Sequence, residues 1–214
     1  MKRLILLTAA ALAISATCAQ AEPKVLTLHD IQHEWAEINY STTDQDRVEA
    51  FEALAEKTLQ ALDMQPRNPA LMTWAGIVHS TWAGTKGGLG ALGLAKKARL
   101  FFEQAIEIDG SVLNGSAHTS LGVLYHEVPG WPIGFGNEKK ARAQLEQGLG
   151  FSPDGIDANY FMGVWLMDQK RYAEASVLLE RALAAGDRSD RPLADRGRRQ
   201  EIRQALKKLR EYQE

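Results

Sequence analysis

Three glycines lie in the middle of apolar stretches that otherwise have the pattern of a buried helix. They are Gly76 in LMTWAGIVHS, Gly122 in TSLGVLYHE and Gly163 in NYFMGVWLM. A glycine inside a helix costs about 1 kcal/mol relative to alanine. Three of them at equivalent places therefore need a packing reason, and the close approach of a second helix supplies one.

Each glycine is followed by a second helical segment that carries a small, a large and another small residue at positions i, i+4 and i+7. This spacing places all three on one face of a helix. The triplets are Ala98, Phe102 and Ala105; Ala141, Leu145 and Gly148; and Ala175, Leu179 and Ala182. The pattern predicts helix pairs that pack antiparallel, with the small residues of the second helix facing the glycine of the first.

This arrangement resembles the tetratricopeptide repeat (TPR), a helix–turn–helix unit of 34 residues, over about residues 58–187. The third unit fits without a gap, with Tyr172 where the family favours an aromatic residue. The second and first units carry seven and ten extra residues between glycine and alanine. The resemblance implies an all-α, TPR-like helical-hairpin solenoid of about three to four repeats.

The expected organisation is a signal peptide followed by one helical domain. The signal peptide comprises residues 1–21 and the domain residues 22–214. Within the domain we expect N-terminal helices with a degenerate repeat at 22–66, then repeats at 67–110, 111–153 and 154–187, and finally a capping helix at 193–212. The capping helix carries a stripe of leucine and isoleucine beside a basic stripe that includes Arg199. Such a helix closes the end of an open stack.

The N-terminus predicts export. Lys2 and Arg3 precede an apolar run, and Ala19-Gln20-Ala21 forms a small-x-small cleavage site. Lipidation at Cys18 is the less favoured alternative. Cleavage leaves a mature chain without cysteine, with a net charge of −4 from 23 basic and 27 acidic residues, and with no transmembrane segment. We therefore expect a periplasmic protein that does not bind nucleic acid.

Two features suggest a binding surface. The first helix of each TPR unit is expected to line the concave side. The connection between the second pair of helices, residues 128–136, combines two prolines and three glycines with the apolar side chains of Trp131, Ile133 and Phe135. Either this loop folds inward as a plug or it forms an aromatic lip. The predicted binding residues are Thr119, Val123, His126, Glu127, Trp131, Phe135, Tyr160, Val164 and Met167.

The loop and the turn that follows also resemble a subset of exported bacterial TPR proteins related to the T component of TRAP-type transporters. The segments YHEVPGWPIGFGN, SPDGIDANYF and ADRGRR carry this resemblance. It implies a periplasmic scaffold or a ligand-relay role next to a substrate-binding protein.

The sequence offers no catalytic constellation. His118 and His126 share a helix face, yet lie about 12 Å apart by helical rise, so one metal ion could not bridge them. There is no HExxH motif, nucleophile elbow or phosphate-binding glycine loop. We expect a non-enzymatic protein without cofactor or metal.

Two hypotheses remain. The preferred one is a scaffold that binds a protein, or an apolar segment of one, through the concave face and residues 128–136. The alternative is a carrier or transport accessory that holds a small apolar ligand between its helices.

Overall fold

The computed structural model describes residues 25–212, and these form nine helices and no strand. The helices are α1 (Leu28–Ser41), α2 (Asp44–Met64), α3 (Pro69–Lys86), α4 (Gly88–Asp109), α5 (Val112–Glu127), α6 (Glu138–Phe151), α7 (Ile156–Asp168), α8 (Tyr172–Ala184) and α9 (Pro192–Glu211). Consecutive helices pack as hairpins, most extensively α3 with α4, α5 with α6, and α7 with α8. The predicted all-α fold of paired helices is confirmed. The signal-peptide prediction falls on residues 1–21, outside the described part.

The three glycines lie where the helices of a hairpin meet. A Cβ on Gly76 would lie 2.4 Å from the ring of Phe102, and one on Gly163 would lie 2.9 Å from Leu179 Cγ. A Cβ on Gly122 would lie 2.7 Å from Leu145 Cγ and 2.9 Å from the backbone nitrogen of the same residue. The missing side chain thus lets each pair of helices approach, as the sequence predicts.

The small and large residues of the second helices fill the space inside these hairpins. All nine members of the three triplets are buried. All of them except Gly148 belong to two hydrophobic clusters, one built mainly from α1 to α5 and the other mainly from α6 to α9. Burial of these faces supplies the main driving force for stacking the hairpins.

Three of the described helices begin at a side-chain cap that the sequence supplies. Thr27 and Asp30 form a capping box at α1, and the Asn68 and Asn137 side chains accept backbone N–H bonds at α3 and α6. Asp154 does not cap α7, which begins after Gly155. The Asn159 amide instead donates to the Pro153 and Gly155 carbonyls and fixes this turn.

The glycine-rich segment at 84–90, whose composition is typical of a flexible loop, is largely helical. Both α3 and α4 extend into it, and only Gly87 separates them. Gly87 has φ +60°, a conformation that glycine adopts at no steric cost. The ten additional residues therefore lengthen a hairpin.

The last helix does more than close one end of the stack. α9 packs on α8 and α7, and it also contacts α1 at the opposite end of the chain. A Cβ on Gly197 would lie 2.4 Å from the ring of Tyr40, and Ala194 belongs to the first hydrophobic cluster. The expectation of a simple end cap is thus corrected: α9 bridges the two ends.

None of the helices between residues 25 and 212 is both long and apolar enough to cross a membrane.

Candidate functional site

The segment between α5 and α6 is a compact loop. The Gly136 N–H donates to the Pro129 carbonyl at 3.0 Å, and the Asn137 N–H donates to the Tyr125 carbonyl at 2.8 Å. A Cβ on Gly134 would lie 2.4 Å from the Pro129 carbonyl oxygen, so a larger residue does not fit there. The loop holds its shape through its own backbone.

One aromatic residue of the loop points inward. The ring of Phe135 lies edge-on to Tyr125 with 5.9 Å between centroids, and the Arg99 guanidinium lies 4.5 Å from the Phe135 centroid. The Tyr125 hydroxyl in turn donates to Glu103 at 3.2 Å. Phe135 therefore anchors the loop to α4 and α5.

The tip of the loop, residues 131–133, points outward. Trp131 is 90% exposed and Ile133 is 71% exposed. Pro132 between them is also exposed. The plug and the lip are thus combined in one loop, because Phe135 is partly buried against the helices while the tip faces solvent.

His126 joins the base of the loop to the next hairpin. Its Nδ1 lies 2.8 Å from Glu138 Oε1, and its Nε2 lies 3.0 Å from Asp168 Oδ2. Glu138 also accepts hydrogen bonds from Trp165 Nε1 at 3.0 Å and Gln169 Nε2 at 3.3 Å. Together these bonds connect α5, α6 and α7.

The surroundings of His126 favour its charged form. Partial burial opposes the charge, but the hydrogen bonds to Asp168 and Glu138 outweigh it, and the pKa of His126 is raised above 6.5. The pKa of Glu138 is lowered: burial opposes ionisation, and the bonds from His126 and Trp165 overcome it. Sequence reasoning selected His126 but missed Glu138, whose position at the first residue of α6 looked like an ordinary helix-start charge.

The other predicted binding residues differ in how far they are exposed to solvent. Thr119 and Met167 are buried, Thr119 beneath Gly148, so they contribute to the core and not to an accessible groove. Val123 and Val164 are half-buried against the second hydrophobic cluster, while Glu127 is exposed at the base of the loop.

Tyr160 lies under a charged network that the sequence does not reveal. The Arg198 guanidinium lies 4.6 Å from the Tyr160 ring centroid and donates to Asp157 at 2.8 Å. Arg188 donates to the same carboxylate at 2.7 Å and also to Asp195. Burial raises the pKa of the Tyr160 hydroxyl. This network joins α7 to α9, so α9 covers part of the surface that was expected to be open.

Two shallow hollows of the described chain lie away from the loop. One, of about 460 Å³, is lined by Asp44, Arg47, Thr81, Gly84 and Thr85. The other, of about 610 Å³, lies over residues 65–69. Both are open to solvent, and neither adjoins the tip.

Other histidines of the described chain also contact protein groups. His118 Nδ1 lies 2.7 Å from Gln144 Oε1, and His33 Nε2 lies 2.7 Å from the Asp190 carbonyl oxygen. The rings of His29 and His33 are 4.1 Å apart. Across residues 25–212, no three histidine, cysteine or acidic side chains are grouped so that they could hold a metal ion.

A comparison with protein-family models finds no match to this chain, and neither does a comparison with curated proteins.

Proposed function

We propose that this protein is an exported, non-enzymatic interaction module that binds a protein partner through the tip at residues 131–133. The observation that carries the proposal is the exposure of Trp131 and Ile133, at 90% and 71%, on a loop whose base is fixed. Large apolar side chains held in water at the end of a defined loop are available for a partner that can bury them.

The composition of the tip suits this role. Tryptophan is among the residues that contribute most to protein–protein binding, and it does so when it enters a pocket of the partner. A loop already held in shape loses little conformational entropy on binding. The backbone bonds at Gly136 and Asn137 and the packing of the partly buried Phe135 ring on Tyr125 provide that rigidity.

The packing of α9 makes the loop a better candidate binding surface than the concave face. Arg198 covers Tyr160, and Gly197 contacts Tyr40, so residues of α9 occupy space beside the first helices of the hairpins. The tip has no comparable cover. The proposal therefore centres on Trp131 and Ile133, with His126, Glu127 and Phe135 as the base that positions them.

We place this module in the periplasm, on the signal-peptide pattern at residues 1–21, and next to a substrate-binding protein of a TRAP-type transport system, on the resemblance of residues 115–203. Both assignments rest on the sequence.

Photo-crosslinking in cells tests the proposal. A photoreactive amino acid at position 131 should capture a defined protein, while the same amino acid at position 177 should not. Val177 is the matched control because it is an exposed apolar residue, 55% exposed, on α8. Substitution of both Trp131 and Ile133 by alanine should abolish recovery of the captured protein by pulldown.

Two results would contradict the proposal. One is the absence of any specific crosslink at position 131 in cells that express the partner system. The other is an identical set of pulled-down proteins for wild type and the double variant.

The alternative function, a small-molecule carrier, predicts a ligand that stays with the purified protein. Native mass spectrometry of the protein isolated from cells would detect it as added mass. The hollow lined by Arg47 and Thr81 would be its place, and not the loop tip, since the hollow is concave and the tip projects into solvent.

A further inference from the structure

His126 and Glu138 stand on either side of the loop that carries the tip. His126 is in the last turn of α5, and Glu138 is the first residue of α6. The hydrogen bond between them closes the base of the loop, and the bond from His126 to Asp168 attaches that base to the end of α7.

The geometry requires both ring nitrogens of His126 to donate. Each nitrogen lies within 3.0 Å of a carboxylate oxygen, at 2.8 Å for Nδ1 and 3.0 Å for Nε2. Ionised carboxylates only accept hydrogen bonds, and a neutral imidazole has a single N–H. Both bonds can therefore form only when the ring is an imidazolium.

The charges around the ring come from four helices. Glu127 lies on α5 beside it, Glu138 on α6 and Asp168 on α7. Lys208 on α9 interacts with Asp168 and is the basic group on that side. The three carboxylates favour a positive ring, and they outnumber the single ammonium, whose charge would oppose it.

We propose that protonation of His126 controls how firmly the tip at residues 131–133 is presented, by fastening the base of its loop to α7. The inference rests on the proposed function only for the role of the tip as a binding surface. The attachment of the loop base by protonated His126 can be measured in the isolated chain.

Loss of the proton breaks one of the two bonds. Glu138 keeps its bonds from Trp165 and Gln169 in either state, because neither involves His126, so α6 stays attached to α7. The neutral ring can hold only one of its two carboxylate partners, so the α5 side of the loop base is no longer bound to both α6 and α7. The raised pKa of His126, to which Asp168 and Glu138 contribute, agrees with a ring that is charged in the fastened state.

Two measurements on the full chain test the inference without any partner. In an NMR pH titration, the His126 ring should titrate above pH 6.5, the ordinary value. In hydrogen exchange, amides of residues 127–137 should lose about tenfold in protection, after correction for intrinsic rates, as pH rises through that midpoint.

Three variants distinguish a pH-dependent attachment of the loop base from a change in the stability of the whole fold. His126→Gln cannot become a cation, so protection of residues 127–137 should be low and independent of pH. Asp168→Asn should lower the His126 midpoint and retain a pH dependence. His33→Gln is the matched control, since His33 bonds only a backbone carbonyl, and it should behave as wild type.

A His126 midpoint at or below 6.5, or protection that does not change across it, would overturn the inference. Crosslinking at position 131 succeeds or fails independently of both readouts. A partner captured without any pH dependence of the loop would therefore refute the fastening alone.

Discussion

Gly122 lies where α5 crosses α6, and its neighbours explain why the helix has no side chain there. A Cβ would meet Leu145 Cγ at 2.7 Å and the Ala141 carbonyl oxygen at 3.0 Å. A backbone atom cannot rotate away as a side chain can. The close approach of the two helices at this crossing thus depends on the missing side chain.

Substitution of Gly122 by alanine should destabilise the fold by roughly 1–3 kcal/mol, because overpacking exceeds the gain in helix propensity. Gly93 is the matched control, since it lies within α4 and a Cβ there would meet nothing within 4 Å. Gly93→Ala should instead add up to about 1 kcal/mol. Urea unfolding followed by circular dichroism measures both, and a neutral Gly122→Ala would contradict the packing argument.

His79 is a buried ring that should make the protein sensitive to acid. Burial lowers its pKa from 6.5 to about 4, although the Ala75 carbonyl accepts its Nδ1–H at 2.7 Å. The unfolded chain therefore binds the proton more readily than the folded one. The stability that neutral His79 contributes is complete above pH 6.5 and is lost as pH falls toward 4.

The variant His79→Gln should reduce the pH dependence of unfolding between pH 7 and pH 4 by about 3 kcal/mol. Urea unfolding at a series of pH values measures this. His29→Gln, at an exposed position of α1, is the control and should keep the wild-type pH dependence. An unchanged slope in His79→Gln would show that the ring does not titrate as proposed.

The orientation of the loop aromatics could not be read from the sequence. Trp131 and Phe135 have similar hydrophobicity and lie in the same glycine- and proline-rich segment. What separates them is tertiary: Phe135 meets Tyr125 and Arg99, which come from α5 and α4. Residue type alone cannot supply such contacts.

The helix α9 also makes tertiary contacts that could not be predicted from its sequence. Its apolar stripe and its boundaries are readable, and the predicted segment 193–212 differs little from Pro192–Glu211. Along the basic stripe, Arg203, Lys207 and Arg210 are exposed, whereas Arg198, which lies outside that stripe, is only 9% exposed. The small residues Ala194 and Gly197, three apart on one face, were the available signal that another helix packs closely there.

The attachment of α9 to α7 depends on Asp157, which accepts from both Arg188 and Arg198. Burial opposes its ionisation, but the two guanidinium groups hold the pKa of Asp157 well below its usual value. Its contribution to stability is therefore present above about pH 3.8, the ordinary value, and is lost as pH falls below it.

Asp157→Asn should cost roughly 2 kcal/mol, less than a fully buried pair because a third of the side chain is exposed. It should also make α9 more sensitive to limited proteolysis. Asp187→Asn is the control: that carboxylate is 84% exposed where it pairs with Arg199, so its loss should be nearly neutral. Equal effects of the two substitutions would contradict the special role of Asp157.

The paired helices themselves were the most predictable elements, because glycine and the small–large–small spacing are local signals of a helix crossing. The segment at 84–90 was not, since glycine at that density usually marks a loop. It remains helical because α3 and α4 continue to pack against each other up to the turn at Gly87.

At the scale of the whole molecule, the contact between α1 and α9 is the feature that no local pattern encodes. It joins residues more than 150 positions apart, as at Tyr40 and Gly197. Burial raises the pKa of the Tyr40 hydroxyl, in agreement with its place between the two helices.

Gly197→Leu should separate these helices, because a Cβ already lies 2.4 Å from the Tyr40 ring. We expect faster hydrogen exchange in α1 and a loss of roughly 1–3 kcal/mol of stability. Gly186→Ala is the control, since a Cβ there meets nothing within 4 Å. Unchanged exchange in α1 would contradict the bridging role of α9.

The meeting of α1 and α9 also limits how such a chain can change in length. An open array tolerates duplication or loss of a helix pair, because each pair touches only its neighbours. Here an added pair would push the first and last helices apart and expose Tyr40 and Ala194 to water. The contact between α1 and α9 therefore fixes the number of helix pairs. Sequence variation is confined to segments, such as residues 128–136, that extend outward and leave the number of helix pairs unchanged.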